Sequence, residues 1–390
     1  MRTLAAGVVP ALATVLAGLL ATAASAEDLL IRAAKVYGGD GPPLAPGAVL
    51  ISGGKIAKVA ASIEAPAGVK TIEAKDGTII PGLVELDAGI GVDGPQAEYT
   101  SELTPGFRVA RAINFRSREF REALSEGVTT AAIFPSTENI IGGFGVTVKT
   151  AGANAASRIV AQDVGLAVAC CSDPADRNFA RQRPDSIYVR QPTNRMGVNW
   201  ILRNALLKAK SEPEKHPDVS AALAGRHSIF TTARAASDVE QVLRLGAEFG
   251  FRPILVGGQE AYQVADRLAE LKTPVVLQGV STGMGPGDEG TDPFWNGAGV
   301  LHKAGVKVAL SGKGLLDRMR FAVRHGLPAE AGLAAVTSVP AELLKLEKRL
   351  GKLAAGFDAD LLILSGDPFS PTTTVDEAVV DGVLHSQKPR

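Results

Sequence analysis

The hydrophobic pattern divides the chain into two kinds of segment. Leu29 to Tyr37 and Ala48 to Ser52 read as strands, and Gly53-Gly54 is a two-residue hairpin signal before Lys55-Ile56-Ala57-Lys58-Val59. Leu361 to Leu364 and Glu377 to Val383 read as strands at the far end, the second broken by the turn pair Asp381-Gly382. Between these β-rich ends, strands alternate with helices. Ser117 to Glu126 predicts a helix stopped by Gly127, and Val128 to Phe134 a strand. Ser237-Asp238-Val239-Glu240 has the form of a capping box, with Val239, Val242, Leu243 and Leu245 as an apolar face and Gly250 as the stop. Strands are expected at Pro253 to Val256, Pro274 to Val280 and Val306 to Leu310. Repeated βα units predict a (β/α) barrel or a doubly wound sheet, with the two ends meeting as a small β domain.

The N-terminus follows neither pattern. Met1-Arg2-Thr3, an apolar run from Leu4 to Leu20 and the small residues Ala24-Ser25-Ala26 describe a secretory signal peptide over residues 1–26. The competing reading is a membrane anchor over Thr3 to Ala26; Pro10 and the Ala-Ser-Ala site favour cleavage. An exported protein, periplasmic or extracellular, is therefore expected, with no membrane attachment after cleavage. Charge adds little, since 41 basic residues balance 41 acidic ones among 390 and no nucleic-acid surface is implied. Only five histidines and two cysteines are available for metal chemistry. The adjacent Cys170 and Cys171 are expected as two buried thiols rather than a strained vicinal disulfide.

Three motifs resemble the amidohydrolase superfamily, in particular its imidazolonepropionase-like branch. They are Gly77-Thr78-Ile79-Ile80-Pro81-Gly82-Leu83-Val84-Glu85, then Gly127-Val128-Thr129-Thr130 with Ile141-Gly142-Gly143 and Val148-Lys149, and finally Gly351 to Leu361 with Ser365-Gly366-Asp367-Pro368. Arg195-Met196-Gly197 and Glu260-Ala261-Tyr262 fit the same branch, and the likeness runs from about Leu29 to Leu384. The resemblance implies a TIM-like (β/α)8 barrel over 80–351 and a β-sandwich composed of 27–79 and 352–388. It also implies hydrolysis of amide or other C–N bonds by water on one or two divalent metals.

The ligand positions that the resemblance predicts are degenerate. Where a His-any-His pair is expected, the chain has Asp87-Ala88-Gly89; where a bridging lysine is expected, Ala167. A His-Ala-His-Arg stretch is replaced by Thr231-Thr232-Ala233-Arg234, a further histidine by Gly257, and an aspartate by Ser311-Gly312. His216, His227, His302, His325 and His385 fall at turns, helices or the tail, so no metal and no cofactor is expected. Arg234, Arg195, Gly142, Gly143 and Tyr262 are the candidate ligand contacts, although a plain turn explains Gly142-Gly143 equally well. Trp200, Trp295 and Phe294 read as packing or loop anchors. The expectation is a metal-free relative that binds a small molecule or partners an active homologue, in a homo- or hetero-oligomer. The alternative is an active hydrolase of dipeptide-like amides or lactams with a divalent metal near Asp87. Asp163, Asp173, Glu260 or the acidic loop with Asp288, Glu289 and Asp292 would then help.

Overall fold

Gly53 and Gly54 adopt φ of 56° and 75°, the left-handed pair that a two-residue hairpin requires, and join β2 (Gly47–Ser52) to β3 (Lys55–Ala60). These strands extend a sheet begun by β1 (Leu29–Val36) and β4 (Lys70–Pro81). The C-terminal strands β13 (Leu361–Leu364), β14 (Val375–Val380) and β15 (Val383–Ser386) complete it, in the order β15-β14-β13-β4-β1-β2-β3. Both ends of the chain thus build one seven-stranded sheet. Its core gathers Ile31, Val49, Ile51, Ile79, Leu361, Ile363 and Val379. The computed structural model describes residues 27–178, 191–278 and 294–386. The segment assigned as a leader, 1–26, and Asp288, Glu289 and Asp292 lie outside the described residues.

Gly82 passes the chain from β4 into the second sheet. A Cβ there would sit 2.2 Å from Thr129 Oγ1, so only glycine lets the two strands approach. The second sheet has eight strands, in the order β12-β11-β10-β9-β8-β7-β6-β5. They are β5 (Leu83–Glu85), β6 (Val128–Ile133), β7 (Ile141–Lys149), β8 (Ile159–Ala169), β9 (Ile229–Ala233), β10 (Pro253–Gly257), β11 (Val275–Gln278) and β12 (Val308–Ser311). One cluster, including Val84, Leu86, Ala132, Phe134, Phe230, Val256, Val276 and Ala309, fills the inside of this TIM-like barrel. The alternate positions Leu83, Ala131, Ile133, Leu255, Val275 and Leu310 pack outward, in the core that also holds the helical side chains. Phe134 and Phe230 occupy the interior with ring centroids 4.6 Å apart.

The repeat is less regular than the sequence pattern suggests. β7 runs antiparallel to both β6 and β8, whereas the other neighbours pair in parallel. The cause is chain length: residues 134–140 are too few for the crossover that a parallel pair needs. Gly142-Gly143 accordingly lies inside a strand and is not a plain turn. Gly143 has φ of 112°, and a Cβ there would lie 2.5 Å from the Phe107 carbonyl oxygen. The Phe144 N–H donates to that oxygen at 2.8 Å, so the chain's own segment around Phe107 covers the glycines.

The capping box also resolves differently. The helix Ala236–Phe249 starts one residue before Ser237 and has no side-chain cap at Ala235. Glu260, from the loop after β10, takes the role by accepting the Ala236 N–H at 2.8 Å. Gly250 ends the helix in the left-handed conformation, and Val239, Val242, Leu243 and Leu245 are buried as the periodicity predicts. No helix among the described residues is long and apolar enough to cross a membrane.

Candidate functional site

The C-terminal ends of the barrel strands carry the rim, and β5 supplies its acids. Glu85 is 5% exposed and bridges the first and last barrel strands. Its Oε1 accepts the Ser311 hydroxyl and the Asp87 N–H (3.0 Å), while its Oε2 accepts the Gly312 N–H at 2.9 Å. Desolvation raises its pKa, opposed by these three donors and by the nearby Arg318 charge. Asp87 follows one turn of backbone later and is pushed up to about 6, first by desolvation and then by the Glu85 charge. The Gln278 amide, which donates to Asp87 Oδ2, and the Arg234 charge oppose that shift.

This raised value has a thermodynamic sign. The folded state holds the Asp87 proton up to about pH 6, whereas an unfolded aspartate releases it near 3.8. Stability contributed here therefore falls as pH rises from about 4 to about 6, and the penalty persists above that window. Asp87→Asn is expected to raise stability by about 1–2 kcal/mol at pH 7.5 by removing a buried charge that is penalised by desolvation first and by repulsion from Glu85 second, and to gain nothing at pH 4. Urea unfolding of both proteins at the two pH values measures this.

Arg234 completes the rim. Its two Nη atoms fork onto Asp173 at 2.8 and 2.7 Å, and Thr137 donates its hydroxyl to the same carboxylate. Of the five candidate ligand contacts, Arg234 is the one that the structure brings beside Asp87. Arg195 opens the helix Arg195–Ser211 and sits 3.5 Å from Asp238 of a neighbouring helix. Tyr262 packs its ring 4.8 Å from Phe294, and Gly142 and Gly143 lie beneath Phe107.

Strand alternation shifts two assignments by one residue. On β9, Phe230 and Thr232 face the interior with Leu86, Phe134, Ala167 and Val256. Thr231 points outward among Leu166, Leu202 and Val242, and Ala233 joins the outer core. The side chains that could reach the rim from this strand and its end are therefore Thr232 and Arg234, not Thr231 and Ala233. Gly257 has φ of 96°, and a Cβ there would meet the Ala233 carbonyl oxygen at 3.1 Å and Arg234 Cγ at 3.2 Å. A Cβ at Gly89 would meet only open space.

The remaining acids and histidines serve other purposes. Asp163 pairs with Arg108 at 2.9 Å, and its carbonyl lies 3.2 Å from His227 Nδ1, on the strand side opposite the rim. His302 is in the helix Gly297–Lys303, His325 stacks beside Phe321 and Trp295, and His216 opens the helix Pro217–Leu223. His385 is on β15, where burial lowers its pKa. Cys170 and Cys171 are buried, and the Cys170 thiol donates to Asn199 Oδ1 at 3.1 Å. Among the described residues, no three His, Cys, Asp or Glu side chains come together as a metal site. The rim does not fit a two-metal centre: three donors already engage both oxygens of Glu85, and Asp87 faces a guanidinium where a second anionic ligand would be needed. Sequence reasoning had passed over Glu85, Gln278 and Thr232 as site residues. The period-two alternation of β9 marks Thr232, but nothing local marks Gln278, which arrives 191 residues after Asp87.

A barrel extended by a terminal β sheet, with its chemistry at the strand ends, defines the class of scaffold. Comparison with known proteins gives the family. The amidohydrolase family profile matches residues 203–386. Amidohydrolase tasK of Hapsidospora irregularis is 23% identical over 407 aligned positions, covering 88% of this chain and 40% of tasK; the chain thus spans less than half of that relative's length. An amidohydrolase from Thermotoga maritima MSB8 superposes with a TM-score of 0.82 at 27% identity, covering 91% of this chain and 99% of that one. A prolidase complexed with N-methylphosphonate-L-proline shares the fold, with a TM-score of 0.60 at 15% identity over 93% of this chain and the whole of the other. Together these likenesses support an amidohydrolase-family protein.

Proposed function

We propose that this protein is a non-hydrolytic amidohydrolase that works as a binding protein or as the partner subunit of an active homologue. The observation that carries the reading is the chemistry around Asp87. Ala167, Thr232, Gly257 and the cationic Arg234 stand where anionic or imidazole ligands would have to converge, and both oxygens of Glu85 are already engaged by three donors. A divalent ion bound there would lack the donors that lower the pKa of its water. The test is elemental analysis of the purified protein with assays on dipeptides and cyclic amides, with and without added zinc or manganese. Substoichiometric metal and no turnover are expected; a tightly held ion at one per chain overturns the reading.

One observation favours a second reading. A buried carboxyl with a pKa of about 6 suits a general base at neutral pH. If Asp87 serves so, hydrolysis appears in the panel and Asp87→Asn abolishes it.

The same proposal includes export and partnership. Release of 1–26 would leave Glu27 as the first residue, which N-terminal sequencing of the exported fraction reads directly. Co-purification with a related hydrolase is expected from native extracts, and a chain running alone as a monomer would remove the partner role.

A further inference from the structure

We propose that a cavity at the mouth of the barrel, adjoining the Asp87 rim through Gln278, binds a small carboxylate with an apolar, aromatic-sized body. The cavity measures about 400 Å³, within the range of small-molecule sites, and lies between the ends of β11 and β12 and the helices Gly297–Lys303 and Leu315–Arg324. Leu277 and Leu310 line it from the outer core, whereas Phe134 and Phe230 lie in the interior, and Gln278 joins the two regions through its hydrogen bond to Asp87.

Two features specify the ligand. First, the rim gathers exposed aromatic surface. Trp295, Phe294 and Phe321 are 56%, 45% and 39% exposed, with Phe294 packed on Tyr262 and Trp295 on Phe321. Second, the charge of the lining is cationic. Arg318 is oriented by its Nε donating to the Lys313 carbonyl at 2.9 Å, and its charge acts on Glu85, although among the described residues no carboxylate is hydrogen-bonded to its Nη atoms. Lys313 lines the same wall, while the one acid there, Asp317, is taken up by Arg320 at 2.7 Å. A forked guanidinium with a lysine beside it suits a carboxylate.

The inference deepens the binding-protein reading and rests on it for its biological sense. Its test is independent of hydrolysis, so the two fail separately. In a Trp200→Phe background, Trp295 is the remaining tryptophan and reports on the site. Phenylbutyrate is expected to change its emission saturably, and the uncharged phenylbutyramide to bind at least about tenfold more weakly. Arg318→Gln should weaken phenylbutyrate by a similar factor and leave the amide unchanged. Ala298→Leu, which narrows the cavity without altering charge, should weaken both. No saturable response to phenylbutyrate, equal binding of acid and amide, or unchanged affinity in both variants overturns the proposal. Turnover in the hydrolysis panel would remove the non-hydrolytic reading while leaving this site standing.

Discussion

Lys149→Met is expected to destabilise the protein by about 3–5 kcal/mol, the cost of stripping the counter-charge from buried carboxylates. The Lys149 side chain is 1% exposed and lies at the end of β7, where it meets three aspartates from the C-terminal segment. Its Nζ is 3.1 Å from Asp358, 3.2 Å from Asp381 and hydrogen-bonded to Asp360. Desolvation would lower the Lys149 pKa, but the three aspartates outweigh it and hold the value above the ordinary lysine range. Lys55 and Arg349 contribute two further cations, both to Asp358. Removing Lys149 therefore leaves Asp360 charged and buried without an ion-pair partner among the described residues. Urea unfolding measures the loss, and Lys149→Met combined with Asp360→Asn should recover part of it. A double variant as unstable as Lys149→Met alone would show that packing, not charge, sets the cost.

The same cluster predicts acid sensitivity. Burial would raise Asp358, yet Lys149, Lys55 and Arg349 bring it down to about 2, below the ordinary 3.8. A depressed acid stabilises the fold above its unfolded pKa. That contribution is lost as pH falls from about 4 towards about 2. It runs opposite to Asp87, whose burial penalty is relieved over the interval just above.

Gly257→His is expected to cost about 2–4 kcal/mol and to gain no metal affinity. The residue lies in the left-handed region at φ of 96°, where a side chain is strained before it touches anything. Its Cβ would then press on the Ala233 carbonyl and on Arg234, the guanidinium that faces Asp87. Restoring a histidine at this position thus demands a different backbone, not only a different side chain. Thermal unfolding with zinc titration tests both halves. A stable variant that binds zinc at one per chain would show that the rim is one substitution away from a metal site.

Much of the architecture was legible in the sequence because its signals are local. Gly53-Gly54 and Asp381-Gly382 fix hairpins through positive φ, and Gly250 ends a helix by the same means. The motif Asp358-Ala359-Asp360 was conspicuous in the chain, but its purpose needed Lys149, some 209 residues away by sequence from Asp358, to be brought to it. β7 was missed because strands flanked by short connectors leave no helical period to mark them. The rim was legible in part, since Asp87 and Arg234 stand out in the chain as polar candidates at strand ends. It was not legible in register: Thr231 and Thr232 are chemically alike, and only the pleat says which one faces the interior.

The sequence by itself determined that the chain forms two β-rich ends around a βα repeat, with glycine-bearing turns closing the hairpins of those ends. Those outcomes rest on side-chain identity and short-range backbone preference, which one linear string records. The tertiary structure decided that Glu85 joins the first and last barrel strands, that Gln278 and Arg234 flank Asp87, and that Arg318 and Trp295 share a cavity. Each of these depends on groups far apart in the chain meeting at bonding distance, and that meeting is set by the collective packing of the sheet and helices rather than by any residue's own propensity.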